Sequence, residues 1–277
     1  MKGELYIVAT PIGNLEDITL RAIRILKQAD IIAAEDTRHT LKLLNHLQIS
    51  KPLISYHRHN EEIKTEELIS KLLEGKNVAL VSDAGTPVIS DPGGEIVKKA
   101  IENEIKVIPV PGACAAITAL IASGIDAKEF TFLGFLPQNN KNRKNKLEQI
   151  EKEERTTIIY EAPHKLIKTL EDLQSIVKNR KIVLARELTK IHEEYIEGTI
   201  EDIQKQAANP KGEYVIIIEQ ALKKQKEIEL DKLNALTIEE HYKYYEEKGL
   251  NKKEIIKQIA KDRKVNKNEI YQKFTKA

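Results

Sequence analysis

The sequence predicts an α/β protein: a largely parallel sheet covered on both sides, a second sheet of mixed direction, and a small helical extension at the carboxyl end. Three observations carry this. Short β-branched runs alternate with amphipathic segments through the first 125 residues, as in βαβ units whose strands are buried on both faces. A second group of strand-like runs fills residues 130–220. Beyond residue 238 the pattern turns to short, basic helices. The expected domains are 1–125, 126–221, and a linker with helical tail over 222–277.

Leu5–Ala9 reads as a buried strand that ends in Thr10-Pro11-Ile12-Gly13-Asn14. A helix is expected from about Asp17, with Ile18, Ala22, Ile25 and Leu26 on one face and Asn14 or Asp17 as its cap. Asp30–Ala34 is a strand running into Glu35-Asp36-Thr37-Arg38. Glu61–Glu74 is a helix, closed by Gly75 at the position past its end where glycine is favoured. Val78–Ser82 is a strand, followed by a loop from Asp83 to Gly94. In that loop Asp91-Pro92 reads as a helix cap with proline at the first helical position. Lys106–Val110 is a strand, and the small-residue run Ala113–Ser123 a helix stopped by Gly124.

In the second block, Thr131–Leu136 and Thr156–Glu161 read as strands separated by the polar run Pro137–Asn145. Ile182–Arg186, Glu193–Glu197 and Glu213–Glu219 complete the sheet. Leu222–Ala235 is charged and weakly patterned, hence a linker. Three short helices are expected at Ile238–Lys248, Lys252–Arg263 and Asn268–Thr275, an arrangement similar to a helix-turn-helix.

Composition bounds the function. The chain has 277 residues, 41% hydrophobic and 32% charged, enough for a packed core under a charged surface. Disorder is a poor reading. No run approaches the roughly 20 apolar residues of a membrane span, and Met1–Glu4 does not lead into an apolar leader, so a cytoplasmic protein is expected. The single Cys114 rules out an internal disulfide and a multi-cysteine zinc site, and seven scattered histidines show no HExxH spacing, so no metal is expected. From Leu222 onward 15 Lys+Arg stand against 10 Asp+Glu, a net +5, which leaves −3 on residues 1–221. A basic tail suits a polyanionic partner; a solvated lysine face explains it equally well.

Chemistry is expected in the loops that leave strand ends: Ala9–Asn14, Asp83–Gly94 and Pro111–Ala116 should line one crevice. Gly and Ala at 84, 85, 112, 113, 115 and 116 leave backbone groups accessible to an adenosine or methionine moiety. Tight turns and close helix–sheet packing account for the same residues. Neither GxxxxGK[ST] nor GxGxxG occurs, which weighs against phosphoryl transfer and nicotinamide chemistry.

Seven co-linear blocks then point to one family. They are LYIVATPIGNLEDITLRA at 5–22, AAEDTRHT at 33–40, VSDAGTPVISDPGGE at 81–95, VIPVPGACAAITAL at 107–120, FLGFLP at 132–137, YEAPHK at 160–165 and RELTKIHEE at 186–194. They resemble the ribosomal RNA small-subunit methyltransferase I group of the tetrapyrrole methylase superfamily, from about residue 4 to 220 and including the basic tail. The resemblance implies two α/β domains of the tetrapyrrole methylase type, S-adenosylmethionine in the cleft between them, and a homodimer. The implied reaction is 2′-O-methylation of a cytidine ribose in the decoding region of small-subunit (16S) rRNA, on free rRNA or the assembled subunit. Tetrapyrrole-modifying relatives carry a GGDPFIFGRGGEE-like stretch that lines up with 84–95, so Thr86 stands where they have aspartate. Their glycine-rich first loop is replaced here by residues 9–14.

By position the resemblance carries over Pro11, Ala84, Gly85, Thr86, Val88, Ala113, Cys114 and Ala115 as cofactor-lining, with Tyr160, Glu161, Ala162 and Thr189 from the second domain. A base must take the hydroxyl proton, since a neutral hydroxyl is a poor nucleophile. Candidates within the matching blocks or near them are Asp36, His57, Glu187 and Lys190. A capped turn explains Asp36, an ion pair with Arg186 explains Glu187, and an ordinary loop histidine explains His57; Lys190 needs burial or cationic neighbours to act so. RNA contact is expected from Arg38 and Arg58, in a stripe with Lys42 and Lys51, and from Lys141, Arg143 and Lys144 in the acid-free run 139–146, read as a lid. Two competitors remain: a methyltransferase acting on a tetrapyrrole, and a non-catalytic RNA-binding module.

Overall fold

The computed structural model describes residues 1–177, 180–207, 212–221, 230 and 232–275. Residues 1–221 form one compact unit and 222–277 a second. The first unit holds two five-stranded sheets.

The first sheet is built from β1 (Leu5–Val8), β2 (Ile31–Ala34), β3 (Leu53–Ser55), β4 (Val78–Val81) and β5 (Val107–Val110), in the order β3-β2-β4-β1-β5. Every neighbouring pair is parallel. That requires a crossover between strands, supplied by α1 (Leu20–Gln28), α2 (Thr37–His46), α3 (Glu61–Leu73) and α4 (Gly94–Glu102). Alternate strand residues serve opposite cores. Leu5, Ala33, Val78 and Leu80 pack with Leu68, Leu72 and Ile96, while Val8, Ile32, Ala34 and Ala79 pack with Ala22, Leu26 and Leu44. Such two-sided burial is why these strands read as continuous apolar runs.

The second sheet comprises β6 (Phe130–Phe135), β7 (Thr156–Glu161), β8 (Ile182–Arg186), β9 (Glu194–Gly198) and β10 (Tyr214–Ile218), ordered β6-β7-β10-β8-β9. Only β6 and β7 run parallel. One face, with Ile159, Leu184, Ile216 and Ile218, packs on α6 (Asn140–Lys152), α7 (Leu166–Val177) and α8 (Ile200–Gln206). The other face, with Ile158, Val183, Val215 and Ile217, packs on Ala116, Ala119 and Leu120 of α5 (Ala115–Ala122). A helix that follows a strand of the first sheet thus covers the second, so the two halves share a core.

The sequence reading is right about nine of the ten strands, the three-residue β3 going unread, and about Gly75, which takes φ +93° after the end of α3. It departs in five further places. The first helix starts at Leu20 under a Thr19 cap, after a 3-10 turn over Leu15–Asp17 that Asn14 caps. α2, α7 and α8 went unread. The polar run expected as a loop forms the first turns of α6, capped by Asn139. The α5 helix is two residues shorter at its start than expected. Asp91-Pro92 does not cap a helix: α4 begins at Gly94, and Gly93 at φ +134° precedes it. A side chain on Gly93 would strike Leu80 and Val88, so glycine is required at that turn.

In the second unit, α9 (Ile238–Glu247), α10 (Lys252–Asp262) and α11 (Lys267–Thr275) match the three expected helices. Ile255, Ile256, Ile259 and Ile270 form their core. Capping boxes at Thr237/Glu240 and Asn251/Glu254 fix the starts of α9 and α10. Of the expected linker, residues 222–229 and 231 lie outside the described residues, and 232–235 are helical.

Candidate active site

The carboxyl ends of β1, β4 and β5 deliver their loops to one crevice, where open α/β sheets bind ligands. The loops after β1 and β4 are joined there. Thr10 and Gly85 exchange two backbone hydrogen bonds, N–H to O at 2.8 and 3.1 Å, as an isolated antiparallel bridge. Gly85 sits at φ +84°, and a Cβ on it would lie 3.1 Å from Ile12. Thr86 Oγ1 then donates to the carbonyl of Ala113 at 3.0 Å, which ties the β4 loop to the entry of α5. Gly13 closes the other side. A Cβ there would meet Lys190 Cγ at 2.6 Å and the Leu188 carbonyl at 2.7 Å, so the first loop lies directly against the turn that follows β8.

These contacts enclose a cavity of about 370 Å³. Ile12, Ala84, Gly85 and Thr86 line it from the first two loops, and Cys114 and Ala115 from the start of α5. Phe135, Tyr160, Tyr214 and Val215 come from the second sheet, with Ile89, Ser90, Asp91, Leu188, Lys190 and Glu213 completing it. Its size falls in the range of about 300–1,000 Å³ usual for small-molecule sites. Apolar faces of Ile12, Leu188 and Val215 suit a flat heteroaromatic ring, and two carboxylates suit hydroxyls or a cation. Cys114 precedes α5 without a side-chain cap bond, and of the first-turn amides the Ala116 N–H is taken by the Tyr160 hydroxyl.

Backbone strain collects at this cavity. Among the described residues seven non-glycine residues have positive φ; Gln48, Glu104 and Lys264 directly follow helix ends, where this conformation is ordinary. The other four are Val88, Ser90, Glu187 and Thr189. All lie in the two turns that border the cavity, and for β-branched Val88 and Thr189 the conformation is a true outlier. Strain of this kind costs about 1–3 kcal/mol per residue and gathers where binding geometry demands it.

Electrostatics mark the same place. Burial, and then the charge of Glu35, push the Asp91 carboxyl up to about 6, well above the ordinary aspartate value. Glu35 is itself raised by burial and by Asp83. Burial also raises the Tyr160 phenol, which stays protonated and accepts a hydrogen bond from the Ala116 N–H at 3.0 Å.

Of the expected cofactor-lining residues, Ala84, Gly85, Thr86, Cys114, Ala115 and Tyr160 meet in the cavity. Pro11 borders a smaller neighbouring cavity with Thr10, His39, Ser82 and Asp83. Ala113 contributes the carbonyl bonded by Thr86, and Val88 makes the strained turn. Glu161 is a correction: it is 2% exposed, points away into the core, and accepts from Thr169 Oγ1 and the Ala162 N–H. Ala162 precedes the 3-10 turn Pro163–Lys165. Thr189 gives its N–H to Glu193 at 2.6 Å.

Among the base candidates only Lys190 reaches the cavity, and its ammonium donates to Glu187 Oε1 at 3.0 Å. Asp36 caps α2 and pairs with Arg38 at 2.8 Å; that guanidinium holds its carboxyl far below the usual range. His57 is set in a loop where its N–H donates to Asn60. Arg58 donates to the carbonyl of Ser90 and so pins the strained turn. Lys141 and Lys144 are exposed on α6. Arg143 is a correction: it turns inward, bonding Asp172 at 2.7 Å and Thr169 at 2.8 Å, because the helix that replaces the expected lid has a buried face. Sequence reading missed Ile12, Asp91 and Glu213 as cavity residues, Asp91 carrying only the local signature of a helix cap.

Comparison with known proteins places this fold and this chain's family. Residues 4–204 match the family model Tetrapyrrole (Corrin/Porphyrin) Methylases. The chain is 52% identical over 274 residues to "Ribosomal RNA small subunit methyltransferase I" of Halalkalibacterium halodurans, covering 98% of this chain and 94% of that protein. It is 48% identical to the Bacillus subtilis protein of the same name, with the same coverage. Among solved structures, Uroporphyrin-III C-methyl transferase from Thermus thermophilus complexed with S-adenyl homocysteine superposes with TM-score 0.57 at 16% identity, covering 78% of this chain and 97% of that one. Two sheets, crossovers and matched relatives agree, and the chain belongs to the tetrapyrrole methylase family, within its ribosomal RNA small subunit methyltransferase I group.

Proposed function

We propose that this protein transfers a methyl group from S-adenosylmethionine to the 2′-hydroxyl of a cytidine in the decoding region of small-subunit rRNA. The observation that carries the reading is the cavity: it gathers residues from the first-sheet loops, α5 and the second sheet in a chain of this family. Close relatives with full-length coverage are named for small-subunit rRNA. Among the described residues no helix is long and apolar enough to cross a membrane, and rRNA as substrate puts the enzyme in the cytoplasm.

In this reading the cofactor brings an already activated methyl group. The chain's residues hold and orient. Ala84–Thr86 and Cys114–Ala115 offer backbone groups, Ile12, Leu188 and Val215 grip the ring, and Tyr160 fixes the start of α5. The reacting hydroxyl must be kept about 3–3.5 Å from the methyl carbon, in line with the bond that breaks. Loops bonded to one another, as Thr10 is to Gly85, supply that rigidity. Exposed Lys141 and Lys144 face RNA phosphates, and the protein acts as a homodimer.

The test incubates the protein with S-adenosylmethionine carrying a labelled methyl and, in parallel, small ribosomal subunits or uroporphyrinogen. The reading expects label in the subunit RNA only. Label in the tetrapyrrole alone overturns it, and absence of S-adenosylhomocysteine binding favours the RNA-binding module.

A further inference from the structure

The cavity holds six groups able to exchange a proton: Asp91, Cys114, Tyr160, Lys190, Glu213 and Tyr214. The ammonium of Lys190 is held by Glu187 and has no lone pair to accept a proton. Tyr160 spends its oxygen on the Ala116 N–H. Tyr214 is 1% exposed in the central strand. Glu213 lies open to solvent. The Cys114 thiol is paired with the Tyr160 hydroxyl. Asp91 differs from all of these. It is partly buried, it lines the cavity beside Ser90, and its position is over-determined. Arg58 grips the Ser90 carbonyl on one side, and the Gly93 N–H donates to Glu61 Oε1 at 2.9 Å on the other. Pro92 between them is buried and Ser90 is at φ +70°. The Asp91 side chain also meets the Ser82 hydroxyl, and its charged neighbours are Glu35, Glu213 and Arg58.

We propose that Asp91 is the catalytic base, taking the proton from the hydroxyl that receives the methyl group. The inference rests on the methyltransferase reading above. In the step the hydroxyl O–H bond breaks and its proton passes to an Asp91 carboxylate oxygen. The oxygen electron pair so released forms the O–CH3 bond, the S–CH3 bond breaks with its pair kept on sulfur, and the proton leaves Asp91 to solvent. The raised carboxyl, at about 6, sits close to neutral pH, where a base is both ionised and competent.

The experiment compares wild type with the isosteric variant Asp91→Asn. Single-turnover methylation of small subunits from a strain lacking this enzyme is read from pH 5 to pH 9, and S-adenosylhomocysteine affinity is measured by calorimetry. Expected are an about 10²–10⁴-fold slower transfer in the variant, an affinity within about threefold of wild type, and loss of a wild-type acid limb that rises through about pH 6. Turnover of Asp91→Asn close to wild type overturns the proposal, as does a loss of S-adenosylhomocysteine affinity that matches the loss of rate. A wild-type profile flat through pH 6 overturns it without recourse to the variant. Failure of wild type to methylate any subunit overturns instead the reading beneath it.

Discussion

Thr10 and Gly85 face each other across the crevice and exchange both backbone hydrogen bonds, at 2.8 and 3.1 Å. The pairing fastens the loop after β1 to the loop after β4, although 75 residues separate them in sequence. Two loops that would otherwise move independently become one wall of the cavity. Strain in the turns at 88–90 and 187–189 is the counterpart on the other walls.

Gly13→Ala should open that wall. Its Cβ would sit 2.7 Å from the Leu188 carbonyl, a backbone atom that can yield only by moving the turn. Overpacking of this kind costs about 1–3 kcal/mol. A similar loss should appear in ligand binding, so S-adenosylhomocysteine affinity should fall about tenfold or more, each tenfold being about 1.4 kcal/mol. Calorimetry on the two proteins checks it.

The cations near the cleft should separate into two kinds. Arg143→Ala removes the partner of Asp172 and Thr169 inside the protein and should cost about 2–4 kcal/mol of stability, somewhat less than a fully buried pair because Asp172 is 29% exposed. It should leave RNA affinity per folded molecule unchanged. Lys141→Ala with Lys144→Ala should do the reverse: Tm unchanged, RNA binding weaker, and the salt slope reduced by roughly 0.7 of a log unit per lysine. Thermal melts and a salt titration of RNA binding distinguish them.

Asp91 should leave a signature in stability as well as in rate. Its carboxyl is raised in the folded protein from 3.8 to about 6. A raised carboxyl contributes stability fully below its unfolded value and loses it as pH rises through the folded value. Deprotonated Asp91 is therefore a burden above about pH 6. Asp91→Asn should raise Tm by a few degrees at pH 8 and leave it unchanged near pH 3.5. An equal shift at both pH values would contradict the assignment of this raised carboxyl to Asp91.

Tyr160→Phe should test the link between the second sheet and α5. The hydroxyl is the acceptor for the Ala116 N–H, and its loss leaves that first-turn amide unpaired at a cost of about 1–3 kcal/mol. Cofactor affinity should fall through a displaced Cys114–Ala115 segment. Binding and melting measured on the same sample report both effects.

Much of this was legible in the chain. Continuous runs such as Val78–Val81 and Tyr214–Ile218 announce strands buried on both faces. Small residues after strands at Ala84, Gly85 and Ala115 leave backbone exposed, while Thr86 and Cys114 were marked only by the family resemblance. Other features were hidden for physical reasons. The polar stretch at 139–146 looks like a loop because its helix buries only Arg143 and Ile150, one of them charged. Asp91-Pro92 carries the local signature of a helix start, and tertiary contacts from Arg58 and Glu61 override it. Nothing local distinguishes Asp91 from a cap; its role follows from what surrounds it in space.

The most direct test of the account is nucleoside analysis by mass spectrometry after small subunits from a strain lacking this enzyme are incubated with the protein and S-adenosylmethionine. The account predicts a single new methyl on ribose, recovered as 2′-O-methylcytidine from the decoding region and absent without protein. A methyl recovered on a base alone, or on a ribose other than cytidine's, would contradict it.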